Sequence, residues 1–102
     1  MADILKVLGQ LDPSATTVTT LYTVPDMTQT TISSLVICNR TGSAITFRVS
    51  VHPAGAGADD KQYIFYDESL AATTTRTVVI GMTLAQTDVI KVYASGADVG
   101  FN

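Results

Sequence analysis

The sequence predicts an all-β fold: a single antiparallel β-sandwich, jelly-roll or immunoglobulin-like, of about eight short strands. Three observations carry this. Threonine supplies 16 of the 102 residues, and its branched side chain suits a pleated sheet while its hydroxyl stays wet. Residues 44–51 alternate, with Ile45, Phe47, Val49 and Val51 separated by Thr46, Arg48 and Ser50; a period of two is that of a half-buried strand. Turn formers recur every 8 to 14 residues, without helix-length crossovers between strands, which excludes a parallel sheet.

The elements follow in order. Ile4-Leu5-Lys6-Val7-Leu8 reads as a short apolar strand, and residues 9–15, with Gly9 and Pro13, as a loop. Residues 18–24 are β-branched and aromatic, and Pro25-Asp26 ends that strand because proline lacks the ladder's donor. Residues 31–38 form the next, with Ile32, Val36 and Cys38 on one face and Leu35 and Ile37 on the other. Residues 39–43, with Gly42, have hairpin length. They predict that 31–38 and 44–51 pair near the middle of one sheet. Residues 52–60 are rich in Gly and Ala and read as a flexible loop. Tyr63-Ile64-Phe65-Tyr66 reads as a strand apolar on both faces, broken by Asp67-Glu68-Ser69. Residues 75–80 make a strand ended by Gly81, and 82–86 have room for one helical turn. The last strands are 88–94, with Val89, Lys91 and Tyr93 opposite Ile90, Val92 and Ala94, and 99–101 after the Ser95-Gly96 turn.

Composition bounds the function. A chain of 102 residues is one domain, and 46% hydrophobic content argues against disorder. No apolar run exceeds four residues, Leu35-Val36-Ile37-Cys38 being one such, far short of the roughly 20 residues of a membrane helix. The start shows no basic region and no long apolar stretch, so synthesis in a cytosol without general secretion is expected. A single Cys38 makes no intramolecular disulfide. The net charge is −3, and Lys6, Arg40, Arg48, Lys61, Arg76 and Lys91 are scattered. Nucleic acid would require a basic stripe.

Candidate chemistry is sparse. His52 stands without a nucleophile or an orienting acid in the sequence near it and reads as structural. Cys38 at the end of an apolar strand reads as a small buried hydrophobe. Asp26, Asp59-Asp60 and Asp67-Glu68 match no calcium-loop spacing and read as solvated turn residues. Asn39-Arg40-Thr41 fits the glycosylation pattern, which means little without secretion. The Gly55 and Gly57 loop lacks the Lys-Ser/Thr of a phosphate cradle. No catalytic, metal or cofactor residues are assigned, and the chain is not expected to be an enzyme. Tyr63, Phe65 and Tyr66 read as core on one face and interface on the other.

Several stretches carry a resemblance: Lys6-Val7-Leu8-Gly9-Gln10, Pro13-Ser14-Ala15-Thr16-Thr17, Leu21-Tyr22-Thr23-Val24-Pro25, Val36-Ile37-Cys38-Asn39-Arg40, Phe47-Arg48-Val49-Ser50-Val51, Pro53-Ala54-Gly55-Ala56, Asp60-Lys61-Gln62-Tyr63-Ile64 and Leu84-Ala85-Gln86-Thr87-Asp88-Val89-Ile90-Lys91-Val92-Tyr93-Ala94-Ser95. Over nearly its full length the chain resembles small structural virion proteins of tailed bacteriophages, including phages of cyanobacteria and marine bacteria. The resemblance implies a capsid decoration (cement) protein on the outer surface of the head, made in the host bacterial cytoplasm. Its partners would be the major capsid protein and itself, as a homotrimer, with no nucleic acid, membrane or cofactor. A tail, neck or fibre component is the alternative, and a small carbohydrate-binding module a further one. The partner-binding residues expected are Ile4, Leu5, Val7 and Leu8, apolar without alternation as in a strand covered on both sides, together with Tyr63 and Tyr66. Residues 1–11 would form an N-terminal arm or edge strand.

Overall fold

The computed structural model describes residues 8–57 and 59–102. Their seven strands are β1 (Thr19–Thr23), β2 (Thr30–Asn39), β3 (Ile45–His52), β4 (Tyr63–Leu70), β5 (Thr75–Leu84), β6 (Val89–Ala94) and β7 (Val99–Phe101). Two short 3-10 turns, Pro53–Gly55 and Asp60–Gln62, lie between β3 and β4. A four-stranded sheet of order β1-β6-β3-β4 packs on a three-stranded sheet of order β5-β2-β7. Every pairing is antiparallel, so the chain is a small all-β sandwich. The strand expected at residues 4–8 lies, but for Leu8, outside the described residues.

Alternation builds the core. Ile45, Phe47 and Val49 of β3, Ile90, Val92 and Ala94 of β6, and Leu35 and Ile37 of β2 are buried between the sheets with Val99 and Phe101 of β7. Phe47 sits at the centre, 5.6 Å from the Phe65 ring and 6.4 Å from the Phe101 ring.

The expected hairpin between residues 31–38 and 44–51 does not form: β2 and β3 lie in different sheets. Asn39 is the physical reason. It is 1% exposed, and its amide donates toward the carbonyls of Ser43, Ala71 and Leu70 at 3.0, 3.0 and 3.3 Å. Its carbonyl oxygen accepts from the Thr41 amide and hydroxyl. These bonds pin a corner that carries the chain from one sheet to the other. Only β3 and β4 are joined within one sheet; the other five connections cross.

Bulges correct three further expectations. A register shift between Ile32 and Ser34 puts Ile32 on the inner face with Leu35 and Ile37, and leaves Val36 and Cys38 half-buried on the outer one. Cys38 is therefore not a core residue. β5 does not stop at Gly81, whose φ of +62° lies at that same shift, but runs on to Leu84, so no helical turn forms at 82–84. β4 does not break at Asp67; it runs to Leu70 through a bulge at which Asp67 has φ +50°.

The N-terminal end of the described chain belongs to the domain. Leu8 and Leu11 pack against the core. Gly9 lies so close to β1 that a Cβ there would stand 2.6 Å from the Leu21 carbonyl oxygen. Leu11 exchanges two backbone hydrogen bonds with Phe101 of β7, at 2.9 and 2.7 Å. This segment therefore closes the side of the sandwich formed by β1 and β7.

Candidate interaction surface

The outer face of the four-stranded sheet carries a cluster of aromatic rings around one arginine. Arg48 points outward from β3 and lies directly opposite Tyr93 of β6 in the ladder. On its other side the β3–β4 register passes from Phe47–Glu68 to Val49–Phe65, so Tyr66 and Asp67 both stand opposite Arg48. A second shift, from Val49–Phe65 to Ser50–Tyr63, brings Tyr63 to the same face. Bulges of this kind re-aim side chains that strict alternation would separate.

The resulting geometry is tight. The Arg48 guanidinium carbon lies 4.4 Å from the centres of both the Tyr66 and Tyr93 rings, within cation–π range. Its Nε donates to Asp67 Oδ1 at 2.6 Å and its Nη2 to Oδ2 at 3.2 Å. The Tyr63 ring meets Tyr66 edge-on with centres 4.9 Å apart. The hydrogen bond to Asp67 holds the guanidinium above its ordinary pKa, against partial desolvation, and the same bond lowers the Asp67 carboxyl. Tyr66 remains 59% exposed. The cluster is thus a preorganised patch with an apolar body and polar rims, built from the residue types that dominate protein interfaces.

Beside it, residues 53–62 fold over the end of β3. His52 Nδ1 faces the Ala56 carbonyl at 2.9 Å and must donate to it, which leaves Nε2 to accept from the Ser50 hydroxyl at 2.8 Å. Ser50 and His52 are 5% and 2% exposed, so this pair fastens the loop. Gln62 donates to the Gly57 carbonyl and accepts from the Asp59 amide, and the Ala54 amide donates to Asp88 Oδ1. The expected flexible loop is therefore pinned at three places. Among the described residues no three His, Cys, Asp or Glu stand together as a metal site.

Of the partner-binding residues expected from sequence, Tyr63 and Tyr66 fall in this cluster. Leu8 does not reach outward; it contributes to the domain's own core. Ile4, Leu5 and Val7 lie outside the described residues. Sequence reasoning missed Arg48, Tyr93 and Asp67. The available signals were an arginine central in an alternating strand and an acid directly after an aromatic run.

Comparison of the chain with known protein families, with characterised proteins and with solved structures finds no match.

Proposed function

We propose that the chain is a structural protein of a tailed-bacteriophage virion. In this reading it is a capsid decoration (cement) protein that binds the outside of the head shell, contacting the major capsid protein and copies of itself. One observation carries the proposal: the half-exposed Tyr63–Tyr66–Arg48–Tyr93 patch, fixed by Asp67. Its residue types are those of interface hot spots, and its rigidity lowers the ordering cost of binding. The resemblance of most of the chain to small phage virion proteins agrees with it. The mechanism is interfacial. A protein that binds only the assembled shell stabilises that shell by mass action, and many copies multiply a small energy per copy.

The test is an antibody against this chain applied to intact virions and viewed by electron microscopy. Label spread over the head supports decoration. Label confined to one vertex or to the tail overturns it in favour of a tail, neck or fibre component. Absence of label removes the protein from the virion surface.

A further inference from the structure

The sandwich has four lateral edges, and they are treated differently. An edge strand presents unpaired backbone donors and acceptors, and proteins blunt such edges with bulges, charges or covering segments. The β7 edge is paired by Leu11. The β1 edge has Gly9 packed against the Leu21 carbonyl. The β4 edge is broken by two register shifts and carries Asp67 and Glu68. The β5 edge is the longest uncovered one: Thr75–Leu84 is ten residues long, has no proline, bears one charge, Arg76, and has a single bulge, at Gly81. Among the described residues nothing pairs with its outer side.

The two strands of this side carry three of the five exposed large hydrophobic residues among those described: Ile64 and Tyr66 on β4 and Val79 on β5, the last at 84% exposure. Phe65 of β4 and Val78, Ile80 and Met82 of β5 are only partly buried against the core, so the seam between the sheets is open there. The acids beside it bring little net charge: Asp67 is paired with Arg48 and Glu68 with Arg76.

We infer that β5 pairs with β5 of a second copy, antiparallel and about a two-fold axis near Val79, which joins the two three-stranded sheets into one of six. An antiparallel strand offers the same donors and acceptors to its own copy, so one open edge satisfies another, as an isologous contact requires. Neutrality of the side matters because a two-fold contact brings the net charge of the side against an equal net charge. The size suffices. Ten residues give a side about 33 Å long, and the molecule's smallest dimension is 19 Å. Contact over that side buries roughly 600 Å² per copy and roughly 1,200 Å² in all, at the lower bound of stable interfaces. The inference does not depend on the virion reading and is tested on the purified protein alone.

The experiment is sedimentation equilibrium of the wild-type chain and of Val79→Lys. The wild type is expected at twice the 10.8 kDa of the chain and the variant at the single mass, with an unchanged circular dichroism spectrum because Val79 is mostly exposed. In a Cys38→Ser background, Val79→Cys is expected to cross-link under oxidation, and Thr83→Cys, distant from the axis, to do so far less. A monomeric wild type, a trimer, or a dimer indifferent to Val79→Lys overturns the inference. Loss of the dimer on deletion of residues 1–7 overturns it too and assigns the edge to that segment.

Discussion

Replacing Asn39 by alanine removes the corner that separates the two sheets, and the size of the effect follows from the bonds it makes. The amide has two hydrogens for three carbonyls, at 3.0, 3.0 and 3.3 Å, so it counts as two donor bonds. The side-chain oxygen adds two acceptor bonds, from the Thr41 amide and hydroxyl. Four net bonds at about 1 kcal/mol each give about 4 kcal/mol. Several partners lie near enough to the surface to recruit water, which reduces the expected loss to about 3 kcal/mol. Against a usual total of about 5–15 kcal/mol this is severe, and it corresponds to a fall in Tm of about 12–24 °C. Urea denaturation followed by circular dichroism measures it, with the m-value unchanged. Asn39→Asp refines the test. A carboxylate there keeps the acceptor but faces three carbonyl oxygens, so the variant should be less stable than Asn39→Ala at neutral pH and should recover as acidification protonates it and restores a donor. A loss below about 1 kcal/mol for Asn39→Ala would mean that water or a neighbouring residue holds the corner, and the account of the sheet crossing would fail.

On the proposed decoration role, Tyr66→Ala should leave the fold intact and weaken attachment to the particle by about thirty-fold, the scale of an interface hot spot of about 2 kcal/mol. Co-sedimentation with particles lacking the protein measures this, and undiminished attachment removes the cluster from the contact. Asp67→Asn tests the ion pair through pH. The hydrogen bond from Arg48 lowers the Asp67 carboxyl, so the folded state favours the ionised form. That contribution is whole above the ordinary carboxylate value and is lost as pH falls through the lowered one. The Tm gap between wild type and variant should therefore be constant near neutrality and close below about pH 4; a gap independent of pH contradicts the pairing. Gly9→Ala places a methyl group 2.6 Å from the Leu21 carbonyl oxygen, so the segment must move, at a cost of about 1–3 kcal/mol. Hydrogen exchange at the Leu11 and Phe101 amides should accelerate, and unchanged protection would show that the segment adapts in place.

A period of two was enough to show which residues of a regular strand face inward. It placed Ile45, Phe47, Val49, Ile90, Val92 and Ala94 correctly, and with them the all-β class. It failed wherever the period was interrupted. At Ile32–Ser34 and at Asp67 one residue of slip reverses the faces, and a slip depends on the partner strand, which local pattern does not contain. The sheet to which a strand belongs is likewise a non-local matter: residues 39–43 have hairpin length, and only the distant carbonyls of Leu70 and Ala71, met by a buried Asn39, make them a crossing.

The candidate patch was half legible for the same reason. Tyr63 and Tyr66 stood out as aromatics, yet strict alternation would put them on opposite faces. The shift between Val49 and Ser50 in the β3–β4 ladder brings them together, and the one between Phe47 and Val49 aims Asp67 at Arg48. An acid inside an aromatic strand reads as a break because an unpaired charge has no place in a sheet. Paired with an arginine on the neighbouring strand, it instead stabilises the bulge that a break would have replaced. The feature that most resembled a loss of structure is thus what assembles the surface, and it leaves β4 twice shifted and acidic while β5, across the seam, has one bulge, at Gly81, and stays open. That difference between two neighbouring edges is the physical ground on which we propose self-association at β5 and attachment at the face beyond β4.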